Sequence, residues 1–216
     1  MRKALIAGAT GAIGSVLLEL LNDSDQYSEI HCIGRREPSI SGEKIKVHIV
    51  SYDALDQFDL QPPIDDVFCT LGTTLKTAGS VENFKQVDRD YVLQVGRLAQ
   101  SLNAKTCSVV SATGANVGSS NYYNQTKGEA EMLLQGVGLN SLRIFRPSML
   151  HGSRDEFRLK EAVGNVVLTM MTPFLHGPWK KFRTIRVEQV AKAMYESARR
   201  DYPAVKVFES DEIQRF

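Results

Sequence analysis

Apolar residues in this chain come in two alternating patterns: short unbroken runs, and stretches where they recur every three or four positions. Residues 3–7 form the first run and predict a buried strand. Ile13, Val16, Leu17, Leu20 and Leu21 then share one face at helical spacing. Residues 29–34 and 45–50 predict the second and third strands. The segment between them, 35–44, is polar and holds Pro38 and Gly42, so it is expected to be a loop rather than a helix. Residues 66–71 predict a fourth strand. Phe84, Val87, Tyr91, Val95 and Leu98 mark a long amphipathic helix. Residues 106–111 predict a fifth strand, 121–135 a helix, and 139–145 a sixth strand.

Strands separated by crossovers imply an α/β chain with a mostly parallel, doubly wound sheet of Rossmann type, covered by helices on both faces. In such a fold ligands bind beyond the carboxyl ends of the strands. The last third reads differently. Ser153-Arg154-Asp155-Glu156 has capping-box spacing, and a helix started there would stop at Thr172-Pro173. Val187, Val190, Ala191, Met194, Tyr195 and Ala198 predict a further amphipathic helix, and 205–208 a final edge strand. The expectation is one domain over 1–216, with 151–216 contributing a small substrate cap.

A strand, then closely spaced glycines, then a helix is a phosphate cradle with a physical cause. Gly8-Ala9-Thr10-Gly11-Ala12-Ile13-Gly14 follows the first strand directly. Glycine lets the backbone approach a pyrophosphate, and the N–H groups of the first helical turn point at it. Gly8, Thr10, Gly11, Ala12, Ile13 and Gly14 are therefore candidate cofactor-binding residues. The second strand ends in Ile33-Gly34-Arg35-Arg36. An NAD site carries an acidic residue here for the ribose 2′-hydroxyl, whereas Arg35 and Arg36 suit a 2′-phosphate. NADP(H) is expected over NAD(H).

Tyr123 and Lys127 stand four apart and share a helix face. An ammonium close to a phenol favours the phenolate and makes it a better proton relay. Ser111, twelve residues before the tyrosine at a strand end, offers a hydroxyl to a substrate oxygen. The predicted catalytic set is Ser111, Tyr123 and Lys127.

Composition narrows the classes. With 26 Lys plus Arg against 25 Asp plus Glu in 216 residues, the basic excess of a dedicated nucleic-acid binder is missing. No apolar stretch reaches membrane-spanning length, and Met1-Arg2-Lys3 runs straight into the first strand rather than into a secretory leader. Cys32, Cys69 and Cys107 have no metal spacing and lie in apolar runs. They read as core residues in a reducing cytoplasm, and no metal is expected.

These motifs resemble the short-chain dehydrogenase/reductase superfamily, in its atypical branch, close to the Tat-interacting-protein-like oxidoreductases. The resemblance also rests on Cys69-Thr70-Leu71-Gly72-Thr73-Thr74, Val87-Asp88-Arg89-Asp90-Tyr91 and Phe145-Arg146-Pro147. It implies that Asp53 and Ala54 meet the adenine, that Leu71, Gly72 and Thr73 line the adenosine side, and that Lys127 also holds the nicotinamide ribose. It further implies that Pro147, Ser148 and Leu150 sit near the carboxamide. Asp88 stands where many members carry an asparagine of a proton relay; a surface charge is the alternative.

The implied activity is NADPH-dependent reduction of a small carbonyl compound. Two other readings stay open. One is a nicotinamide-sensing regulator or scaffold with a protein partner; the other is an epimerase or dehydratase with tightly held cofactor. Monomer and homodimer are equally compatible with the sequence. His151, His176 and the basic cluster Trp179-Lys180-Lys181-Phe182-Arg183 with Arg186 are secondary candidates for substrate or partner contact.

Overall fold

The computed structural model describes residues 1–61, 63–151 and 184–216. A parallel seven-stranded sheet runs through it. In chain order the strands are β1 (Arg2–Ala7), β2 (Tyr27–Gly34), β3 (Ile45–Ile49), β4 (Asp66–Cys69), β5 (Thr106–Val110), β6 (Leu142–Arg146) and β9 (Val205–Glu209), and their spatial order is β3-β2-β1-β4-β5-β6-β9. Two residues each of β7 (Leu150–His151) and β8 (Ile185–Arg186) pair in parallel beside it. The doubly wound fold is thus present. The winding reverses between β1 and β4, which places a ligand crevice beyond their carboxyl ends.

Both faces of the sheet are buried, so successive side chains of one strand enter different cores. Ala4 and Ile6 of β1 join Leu17, Leu18 and Leu21 of α1 (Ala12–Asp23) and Val190, Ala191 and Met194 of α6 (Val187–Ser197). Leu5 and Ala7 join Val92, Val95 and Leu98 of α4 (Tyr91–Ser101) and Leu134 of α5 (Tyr122–Gln135) on the other side. At the amino ends of the strands, buried Asp66 of β4 accepts from Arg2, Tyr27 and Thr106, joining it to β1, β2 and β5.

Residues 35–44 contain no helix, as their polar composition predicts, and a 3₁₀ segment (Tyr52–Gln57) follows β3. The single long helix expected around Phe84–Leu98 is interrupted. After α2 (Leu75–Ala78), α3 (Val81–Lys85) continues into a π turn over Gln86–Asp90 and then into α4, with helical dihedrals at the junctions. The extra residue in the π turn re-aims the side chains around Asp88. The sixth strand begins at Leu142, later than expected, because Gly138 takes a left-handed conformation (φ +83°) and turns the chain before it.

In the last described stretch, α6 packs on α1 and β9 pairs with the outer edge of β6, followed by α7 (Ser210–Ile213). Residues 184–216 are therefore built into the main sheet and its helical layer. The helix expected from Ser153, His176 and the cluster 179–183 lie outside the described residues.

Candidate functional site

The turn after β1 is shaped for close backbone approach. Gly8 has φ +92°, a conformation that L side chains rarely adopt. A Cβ on Gly14 would lie 2.1 Å from the Gly8 carbonyl oxygen and 2.6 Å from Thr70 Oγ1, so nothing larger than hydrogen fits. Thr70, just past β4, donates its hydroxyl to the carbonyls of Ala7 and Gly8 (both 3.1 Å) and fastens the turn to the neighbouring strand. Gly11 caps α1 with no side-chain hydrogen bond, and no acidic residue occupies the first turn. Thr10 and Gly11 are exposed, Ala12 is half-buried, and Ile13 is in the core. A helix N-terminus without a competing carboxylate is what a pyrophosphate requires, so the residues present fit a dinucleotide.

Arg35 and Arg36 follow β2 and are exposed. Asp53, in the 3₁₀ segment, accepts from the Tyr91 hydroxyl (2.8 Å) and from Gln86 Nε2 (3.2 Å). Ser51 caps the segment, and Ala54 is exposed beside Asp53. Leu71 and Thr73 are half-buried and Gly72 is exposed in the stretch after β4; Thr74 caps α2. Pro147 is buried, its carbonyl accepting from Thr113 N–H. Ser148 shares a hydrogen bond with Ser210, and Leu150 packs against the α1-side core.

Tyr123 and Lys127 both lie on α5, whose cap Asn121 accepts from Tyr123 N–H. Tyr123 is 37% exposed, and its ring tilts against Phe84 at 5.6 Å. Tyr122 meets the same Phe84 edge-on. Lys127, in contrast, is buried, and its Nζ lies 2.7 Å from Asp88 Oδ1. Asp88 is 1% exposed, which rules out the surface-charge alternative. Its Oδ2 accepts Thr73 N–H at 2.8 Å. Burial works to discharge Lys127, but Asp88, and then Tyr123, more than offset this and hold the ammonium above the ordinary lysine range.

Ser111 is buried at the end of β5 and donates its hydroxyl to Glu131 at 2.5 Å. Glu131 is gripped by Arg146 Nε and Nη2, and Arg146 Nη1 reaches Glu209 at 3.0 Å. The Glu131 hydrogen bonds push the Arg146 guanidinium above its usual range. Thr113, two residues beyond Ser111, donates to the Arg146 carbonyl. Glu131 escapes a motif-based reading, although helical spacing offers a signal, since Tyr123, Lys127 and Glu131 recur every four residues on α5.

The three cysteines are buried and free. Among the described residues no group of side chains can hold a metal ion, and no helix is long and apolar enough to cross a membrane.

The fold and the glycine turn define a dinucleotide-binding α/β protein. The model of the NAD dependent epimerase/dehydratase family matches residues 4–215, and the chain belongs to that family. Rat protein HTATIP2 is 35% identical over 197 residues, covering 89% of this chain and 79% of that protein. This supports the Tat-interacting-protein-like branch within the superfamily. The mitochondrial protein FMP52 of Eremothecium gossypii is 29% identical over 220 residues, covering 97% and 95%. Among solved structures, MoeE5 in complex with UDP-glucose and NAD superposes with a TM-score of 0.70 at 16% identity, over 98% of this chain and 79% of that one. A short chain dehydrogenase family protein from Francisella tularensis gives a TM-score of 0.70 at 12% identity, over 98% of both chains. The expected cytoplasmic location is corrected by these relatives: several fungal ones are named as mitochondrial proteins, which points away from the cytoplasm.

Proposed function

We propose that this chain is an NADPH-dependent oxidoreductase that reduces a small carbonyl compound. The observation that carries the reading is the pairing, on one face of α5, of a partly exposed phenol with a buried, charged lysine. The bound nicotinamide would supply the hydride. Gly8, Thr10, Gly11, Ala12, Ile13 and Gly14 would hold the pyrophosphate. Arg35 and Arg36 would meet a 2′-phosphate. Asp53 and Ala54 would flank the adenine, Leu71, Gly72 and Thr73 the adenosine, and Pro147, Ser148 and Leu150 the carboxamide.

Tyr123 would deliver the proton to the substrate oxygen, while Lys127 would favour the phenolate that remains and bind ribose hydroxyls. The Ser111 hydroxyl donates to Glu131. To hold a substrate oxygen, its hydroxyl must rotate away from that carboxylate.

The test is NADPH consumption across a panel of aldehydes and ketones. Tyr123→Phe should lose turnover and keep cofactor affinity; unchanged turnover removes Tyr123 from the mechanism. A second reading, epimerase or dehydratase with retained cofactor, draws support from the family model and from neighbours solved with NAD and sugar nucleotides. It predicts that nucleotide stays bound through purification, whereas a reductase releases it.

A further inference from the structure

Lys127 and Asp88 form an ion pair with almost no access to water: their side chains are 5% and 1% exposed. Neither charge is sustainable there alone, because an isolated ion loses most of its hydration in a buried site. Two features hold the carboxylate in place. Asp88 lies buried within the π turn over Gln86–Asp90, and Thr73 N–H donates to Oδ2. The stretch after β4 passes directly over the pair. A Cβ on Gly72 would stand 3.5 Å from Asp88 Oδ1 and 3.9 Å from Lys127 Nζ. The other titratable groups acting on Lys127 are Tyr123 from its own helix and Cys69 from β4, whose thiol burial pushes up to about 11.

We infer that Asp88 is a positioning residue of this site: it keeps Lys127 as an ammonium and fixes it between α5 and the Gly72–Thr73 backbone before any cofactor arrives. Lys127 is then not available as a proton acceptor and contributes charge and hydrogen bonds only.

This inference rests on the proposed role of the Tyr123–Lys127 pair, but its test does not need turnover. In the cofactor-free protein, the Lys127 amine is titrated by side-chain nitrogen NMR, its signal assigned by loss in Lys127→Met. Asp88→Asn keeps the shape and the acceptor for Thr73 N–H but removes the charge. The expected result is that the lysine of Asp88→Asn titrates at a lower pH than in the parent. An equal midpoint in both proteins overturns the proposal.

Should Asp88→Asn fail to fold, the double variant Asp88→Asn/Lys127→Met decides. It is expected to melt higher than either single variant, because removing both charges leaves neither stranded. Additive losses overturn the proposal. Absence of carbonyl reduction by the parent protein would count against the reductase reading and leave both of these readouts intact.

Discussion

The hydroxyl of Ser111 donates to Glu131, and the same carboxylate takes two nitrogens of Arg146. The end of β5, the middle of α5 and the end of β6 are thereby locked by a single acidic side chain. Ser111→Ala removes one hydrogen bond to a charged group and should cost about 1.5–3 kcal/mol. Glu131→Ala leaves Arg146 with Glu209 alone and should cost more, about 3 kcal/mol or above. Urea unfolding of both variants checks the order. An equal or smaller loss in Glu131→Ala would mean that Arg146 needs no partner on α5.

The Gly14 site has no room for a methyl group. Gly14→Ala should destabilise the protein by about 3 kcal/mol through overpacking against the Gly8 carbonyl. Gly11→Ala meets the same oxygen at a milder 3.3 Å and should cost about 1 kcal/mol. Both should weaken dinucleotide binding. Thermal melts with and without cofactor separate the two effects, and a Gly14→Ala protein that melts like the parent would show that the turn can open.

Arg35 and Arg36 carry the expected cofactor preference. The double change Arg35→Ala/Arg36→Ala should weaken NADPH about tenfold, roughly 1.4 kcal/mol, and leave NADH nearly unchanged. Calorimetric titration of both nucleotides decides. A parallel loss for the two would assign the arginines to general attraction rather than to the 2′-phosphate.

A second polar network lies on β2 and β3. His31 Nδ1 and His48 Nε2 are 2.9 Å apart, and His31 Nε2 lies 2.7 Å from Glu29, which also takes Lys46 and Lys3. Burial lowers both histidines below their ordinary 6.5, His31 despite the pull of Glu29. The folded protein thus binds fewer protons there than the unfolded chain. The contribution to stability is complete above 6.5 and is lost as pH falls below it. Glu29, lowered to about 2 chiefly by Lys46, loses its own contribution only below 4.5. Denaturation midpoints should therefore begin to fall between about pH 7 and about pH 5, and His31→Gln should flatten that limb. A parent protein equally stable across the window would contradict the assignment.

The sequence carries the architecture more fully than the site. Apolar runs locate the parallel strands because both faces of the sheet are buried, and the Gly8–Gly14 spacing identifies the cradle because only glycine fits there. Asp88 was harder to read. A charged residue within an amphipathic pattern looks solvated, and nothing local announces the π turn that brings it inside. Glu131 is a similar case: its partners come from β5 and β6, so its role exists only after the strands have assembled. Arg143, on β6, is buried at 3% exposure for the same tertiary reason, its guanidinium reaching the Arg200 carbonyl and the Tyr202 ring.

The packing of α6 onto α1 has a consequence for how the chain is made. Among the described residues, the helix packed on α1 is the one over residues 187–197. During synthesis this partner of α1 is missing until most of the polypeptide has left the ribosome. Arg2, whose guanidinium also bonds the Ala198 carbonyl, waits equally long. A stalled or prematurely ended product would carry the apolar face of α1 that α6 covers into the cell, where chaperones and proteases recognise it.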